Sequence, residues 1–150
     1  MKRREFCVHA CQAVSLATVG SILSGCGGSP RSPSGSAPAL PTIGATVASG
    51  AIALTINASS PLSSVGGAAL VQSSSGNFLV ARTAQDAFTA LTAVCTHEAC
   101  TVTGFQNQAY VCPCHGSRYS TSDTVLQGPA PASLHQFSTR FANNVLTITV

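Results

Sequence analysis

Cys95-Thr96-His97-Glu98-Ala99-Cys100 opens a stretch that closes with Cys112-Pro113-Cys114-His115-Gly116-Ser117-Arg118-Tyr119. Each box offers thiols and one imidazole, and little else in the chain carries donor chemistry. Pro113 fixes its own φ and has no amide donor, which stiffens the turn between Cys112 and Cys114.

C-x-H-x-x-C followed by C-x-C-H resembles the two-box motif of Rieske iron–sulfur proteins. The second box, C-P-C-H-G-S-x-Y, is close to the form found in the Rieske subunit of cytochrome bc-type quinol oxidases. A [2Fe–2S] cluster of this type replaces two thiolates on one iron with two histidines. Two neutral imidazoles leave the oxidised site uncharged, where four thiolates would leave it at minus two. An added electron is then less disfavoured, and Rieske centres as a class lie at roughly −150 to +300 mV against about −400 mV for plant-type clusters.

The resemblance implies Cys95, His97, Cys112 and His115 as cluster ligands, with one cluster per chain. It implies a disulfide between Cys100 and Cys114, tying the two loops together. It gives Ser117 and Tyr119 as hydroxyl donors to cluster sulfur, which points to the high-potential branch. Gly128-Pro129-Ala130-Pro131 resembles the proline loop that covers a third side of the cluster in quinol-oxidising members. Read without the family, the same four residues are a rigid turn. Two other readings of the boxes stay open on the residues alone. Structural zinc also takes Cys₂His₂ sets, although neither box has the usual finger spacing. Four cysteines in an exported domain also suit two plain disulfides. One departure stands out: Glu98 follows the first-box histidine where quinol-oxidising relatives carry leucine, and Ala99 replaces their glycine.

Around the boxes, the composition describes one small domain with a leader. The formal charge is +3, supplied largely by Lys2, Arg3 and Arg4. Beyond position 26, Arg31, Arg82, Arg118 and Arg140 nearly balance Asp86, Glu98 and Asp123. A nucleic-acid partner has no electrostatic footprint here. Arg82, Asp86 and Arg140 show no catalytic spacing, and His135 reads as a structural or surface side chain.

Residues 1–26 read as an export signal, basic and then apolar. Arg3-Arg4-Glu5-Phe6 resembles a twin-arginine signature, and Leu23-Ser24-Gly25-Cys26 a lipobox with Cys26 as the lipidated residue. The alternative is an uncleaved signal anchor, but Val8–Leu23 falls short of the ~20 apolar residues that a spanning helix needs. Residues 27–41 are rich in Gly, Ser and Pro and read as a flexible tether. Residues 42–150 form the domain proper, with a cluster-binding lobe at about 94–131.

From Thr42 onward the pattern is one of short strands and polar turns. Strands are expected at Ala51–Ile56, Ala68–Gln72, Phe78–Arg82, Phe88–Val94, Val102–Phe105, Ala109–Val111, Leu134–Phe141 and Val145–Val150. The fold expected is therefore all-β, and the resemblance makes it a Rieske-type antiparallel β sandwich or barrel with the cluster lobe inserted.

The function implied is that of an exported, high-potential electron-transfer subunit rather than a stand-alone enzyme. It would take an electron from quinol and pass it to a cytochrome within a quinol–cytochrome c reductase-like complex. Its setting would be the bacterial cell envelope, facing the periplasm and held at the membrane. The alternatives are the Rieske small subunit of a periplasmic molybdenum oxidase such as arsenite oxidase, or a free lipid-anchored carrier. A ferredoxin for a ring-hydroxylating oxygenase fits less well, since export and the spare cysteine pair speak against it. A β module that binds a partner and keeps only structural disulfides would need no iron.

Overall fold

The computed structural model describes residues 37–150. The expected signal segment, Cys26 and residues 27–36 of the expected tether lie outside the described residues. The described chain is all-β, with thirteen strands in three sheets and, among the described residues, no helix.

The layering follows from two apolar runs. Strand β4 (Ala68–Ser73) and strand β5 (Gly76–Ala84) pair antiparallel from Ala68↔Ala81 to Ser73↔Gly76. Ala68–Val71 and Phe78–Ala81 are buried without alternation, the mark of strands covered on both faces. Successive side chains point to opposite faces, so the two strands feed two separate cores. Leu70, Leu79, Ala81 and Leu91 join Val102, Tyr110 and Tyr119 in one. Val71, Phe78, Val80 and Ala90 join Ile52, Leu54, Leu146 and Ile148 in the other.

The central sheet has the order β1-β4-β5-β6-β11, with β1 at Thr42–Gly44, β6 at Ala87–Thr92 and β11 at Gln136–Phe137. Behind it stands the sheet β12-β13-β3-β2, formed by Thr139–Ala142, Val145–Thr149, Ala51–Thr55 and Val47–Ala48. The third sheet, β10-β9-β8-β7, is formed by Val125–Gln127, Arg118–Ser120, Ala109–Val111 and Gly104–Gln106. It carries the second box on its β8–β9 connection.

Three details depart from the expected pattern. No sheet among the described residues closes into a barrel. The pairing is not wholly antiparallel, because β1 runs parallel to β4. The expected strand Leu134–Phe141 is two strands: β11 pairs with β6, whereas β12 pairs with β13. Between them the Ser138 carbonyl accepts the Thr149 amide at 3.0 Å as the chain crosses from one sheet to the other.

Composition assigns Ala37–Pro41 to the tether, yet these residues lie against the rest of the fold. Ala39 bridges to Gly104, the Leu40 amide donates to the Thr103 carbonyl at 2.8 Å, and the Leu40 side chain is buried. Gly104 permits this approach, since a Cβ there would stand 3.0 Å from Ala37 Cβ.

Candidate metal centre

Strand β6 delivers the chain to the first box, and β8 and β9 hold the second between them. Both loops close on their leading cysteine. The Ala99 amide donates to the Cys95 carbonyl at 2.9 Å, and the Gly116 amide to the Cys112 carbonyl at 3.0 Å. The two cysteine amides then donate onward, Cys95 to Cys100 and Cys112 to Ser117, each at 2.8 Å. These closures turn both leading thiols inward. Cys95 and Cys112 are free and almost wholly buried.

The other pair of thiols is joined. Cys100 and Cys114 form a disulfide with their Cα atoms 6.5 Å apart, which clamps the first loop to the second. The two imidazoles meet edge to face, His97 against His115, with ring centroids 4.8 Å apart. His97 is half-buried, whereas His115 and Glu98 are exposed. Glu98 Oε2 lies 3.7 Å from His115 Nδ1.

Burial raises the Cys95 thiol, but the Tyr119 hydroxyl, the His97 and Glu98 amides and the Cys112 thiol outweigh it and hold Cys95 below the usual thiol range. Burial pushes the Cys112 thiol up, and Cys95 adds to this. Burial likewise raises the Tyr119 phenol, with Cys95 as a second cause.

Tyr119 reaches the site from β9. Its hydroxyl is 3.3 Å from Cys95 Sγ and accepts the Thr96 amide at 3.2 Å. Thr96 is the residue that spacing alone did not single out. Its Oγ1 stands 3.1 Å from the Tyr119 hydroxyl and donates to the Ala132 carbonyl at 2.7 Å. Thr96 thus joins the first box, the tyrosine and the chain just past Pro131.

Ser117 is fully buried, and its Oγ accepts the Ala130 amide at 3.2 Å. That bond seats the Gly128–Pro131 segment on the second box. Gly128 makes the contact close, because a Cβ at this residue would stand 2.6 Å from Ser117 Cα. His135 takes no part in the site; its ring lies edge-on to Phe137. Arg82 is structural too. Its guanidinium donates to the Leu62, Ser63 and Gln85 carbonyls and lies over Phe88 and Phe141.

The donors fall into two spatial sets. Cys112 groups with Cys100 and Cys114, while His97 and His115 group with Glu98. Among the described residues, no such group draws on both a thiol and an imidazole. A single tetrahedral ion needs its four donors around one point. A binuclear cluster instead takes thiolates on one iron and imidazoles on the other. The buried His97 Nδ1 has no hydrogen-bond partner, an omission that a metal bond would make good. The residues fit a Rieske-type [2Fe–2S] cluster.

Comparison with known proteins agrees. The Rieske [2Fe-2S] domain family matches residues 55–138, more than half of the chain. The chain belongs to the Rieske [2Fe–2S] domain family. Among similar proteins is the cytochrome b6-f complex iron-sulfur subunit of Chlorobaculum thiosulfatiphilum, 38% identical over 41% of this chain and 35% of that one. The corresponding subunit of Trichodesmium erythraeum is 43% identical over 39% of this chain and 34% of its own. The cyanobacterial plasma membrane Rieske protein PetC3 from Synechocystis PCC 6803 is similar in fold. It has a TM-score of 0.51 and 28% identity, covering 56% of this chain and 87% of that chain. The chain thus spans about a third of the length of those two curated relatives.

Proposed function

We propose that this protein is an exported electron-transfer subunit whose [2Fe–2S] cluster is held by Cys95, His97, Cys112 and His115. The observation that carries the assignment is the pairing of donors, with two free buried thiols in contact with each other and two imidazoles that meet edge to face. When bound, the cluster accepts and gives up one electron at a time. The chain's own residues hold and tune it. The Cys100–Cys114 bond keeps the loops closed, Tyr119 directs a hydroxyl at Cys95, and Ser117 anchors the Gly128–Pro131 cover.

The working setting proposed is a quinol–cytochrome c reductase-like complex at the cell envelope, with quinol as donor and a cytochrome as acceptor. Similarity to cytochrome b6-f iron-sulfur subunits supports it. No helix among the described residues is long and apolar enough to cross a membrane. Membrane attachment is proposed through the segment that ends at Cys26, on the basic and then apolar run and the lipobox-like Leu23-Ser24-Gly25-Cys26, with residues 27–36 as the start of the tether. One observation favours the second setting, the small subunit of a periplasmic molybdenum oxidase: Glu98 and His115 place a carboxylate beside an exposed imidazole at the tip. A charged tip loses solvation in an apolar quinol pocket.

The test is purification of the full chain from membranes, followed by EPR of the reduced protein and identification of what copurifies. A Rieske-type signal with about two irons per chain is expected, together with a cytochrome b. A molybdopterin subunit instead selects the second setting. Loss of the signal is expected in each of Cys95→Ser, His97→Ala, Cys112→Ser and His115→Ala, and its full survival in any one overturns the ligand set.

A further inference from the structure

Arg82 is a buried cation with no carboxylate beside it. It projects from β5 and is only 8% exposed. The only ion pair among the described residues joins Glu98 to His115, so Arg82 has none there. Its Nε and Nη2 donate to the Gln85 carbonyl, and Nη1 donates to the Ser63 carbonyl at 2.6 Å and the Leu62 carbonyl at 3.4 Å. The rings of Phe88 and Phe141 lie 5.2 and 5.6 Å from its central carbon. Carbonyl dipoles and ring faces satisfy these donors but leave the net charge uncancelled, and a buried charge is costly unless paired. Arginine has five N–H donors. The bonds above use one on Nε, two on Nη1 and one on Nη2, so the second Nη2 hydrogen has no partner.

The same side chain lines an open cleft of about 280 Å³, together with Ile56, Asn57, Ser63, Phe141 and Asn144. No acidic residue lines it. Asn57 Oδ1 already accepts the Ser59 amide at 3.1 Å and the Ser59 hydroxyl at 2.7 Å. The end of Asn57 left for a ligand is therefore its NH₂ group, which only donates. Asn144 adds a second amide, and Ile56 and Phe141 give an apolar wall. Sites for drug-sized ligands run to roughly 300–1,000 Å³, so this cleft suits an occupant of a few heavy atoms. None of its lining residues belongs to either cysteine–histidine box or to Gly128–Pro131.

The geometry points to a binding site for a small aliphatic carboxylate. Its oxygens take the unpartnered Nη2 hydrogen of Arg82 and the amide donors of Asn57 and Asn144. Its hydrocarbon part lies against Ile56 and Phe141. Arginine pairs with phosphate as well as carboxylate, but the apolar wall offers nothing to the further oxygens of phosphate. Ile56 belongs to the second core, which the cluster loops do not enter. The site therefore does not depend on the cluster assignment.

The experiment is isothermal titration of the full chain, cluster in place, with propionate, acetate and inorganic phosphate at one ionic strength. One propionate per chain is expected. Acetate should bind about fourfold more weakly, the worth of one buried methylene, and phosphate should bind more weakly than propionate. Arg82 is left unchanged, because its bonds hold the loop that contains Leu62 and Ser63. Asn144 has φ of +59°, so Asn144→Gly keeps the backbone and removes one amide. Losing a hydrogen bond to a charged group should then cost roughly 10–150-fold in propionate affinity. Asn57→Asp keeps the acceptor for Ser59 and sets a negative charge against the ligand, so saturable binding should vanish. No saturable propionate binding by the parent overturns the site, and so does undiminished affinity in either variant. Phosphate binding more tightly than propionate overturns the carboxylate class.

Discussion

Ala99 and Gly116 hold equivalent places in two loops that share a hydrogen-bond pattern but little sequence. Each donates its amide to the carbonyl of the cysteine four residues earlier, and each has positive φ, 55° at Ala99 and 73° at Gly116. The left-handed region costs a residue with a Cβ about 1–2 kcal/mol. The second box avoids that cost with glycine, and the first does not.

Ala99→Gly should therefore stabilise the domain by about 1 kcal/mol, after allowing for the greater unfolded-state freedom of glycine. Gly116→Ala should destabilise it by a similar amount. Urea unfolding at unchanged m-value measures both. Equal midpoints for the parent and Ala99→Gly would show that the first loop carries no such strain.

Gly128 admits no side chain. A Cβ there would stand 2.6 Å from Ser117 Cα and 3.1 Å from its Oγ, and φ is +97°. Gly128→Ala should lift the Gly128–Pro131 segment and break the bond from the Ala130 amide to Ser117 Oγ. Overpacking costs about 1–3 kcal/mol, and the backbone conformation adds to it. Cluster bleaching by a chelator should be faster in this variant than in the parent. An unchanged bleaching rate would mean that the segment gives the cluster no cover.

The central strands were legible because burial on both faces leaves an unbroken apolar run, as in Ala68–Val71 and Phe78–Ala81. Strand β9 was not, because Arg118 and Ser120 flank one buried tyrosine within a three-residue strand. The break at Ser138 was hidden as well, since apolar alternation cannot say which of two sheets a strand joins. At the site, donor identity is written in residue type, so the two boxes stood out. The role of Thr96 was invisible because its partner, the Ala132 carbonyl, lies 36 positions away. Only loop closure brings them together.

The Cys100–Cys114 bond spans 14 positions. Closing a loop of about this length in the unfolded chain is worth roughly 3 kcal/mol. Cys100→Ser and Cys114→Ser should each lower stability by an amount of that order and shorten cluster lifetime in mild denaturant. The double variant should behave like either single one, because both remove the same bond. Cluster lifetimes equal to the parent's would show that the thiolate and imidazole bonds alone hold the loops shut.

Tyr119 gives the sharpest test, because its single proton can be followed. The Thr96 amide donates to the Tyr119 oxygen, and the Thr96 hydroxyl gives its own proton to the Ala132 carbonyl. Towards Tyr119, Thr96 Oγ1 can therefore only accept. The tyrosine proton has two acceptors, Thr96 Oγ1 at 3.1 Å and Cys95 Sγ at 3.3 Å. Cys95, as a proposed cluster ligand, would be a charged thiolate and attract that proton more strongly. The bond to sulfur stabilises the reduced, more negative site, so removing it should lower the midpoint potential. A hydrogen bond to a charged group is worth about 1.5–3 kcal/mol, and 59 mV corresponds to a tenfold change in a one-electron equilibrium. Tyr119→Phe should then shift the potential down by roughly 60–130 mV. The EPR signal should persist, because no ligand is lost. Ser117→Ala should also lower the potential, since the Ser117 hydroxyl accepts from Ala130 and keeps its own proton to donate. An unchanged potential in Tyr119→Phe would place the proton on Thr96 instead. Thr96→Val would then raise the potential, by leaving Cys95 as the only acceptor.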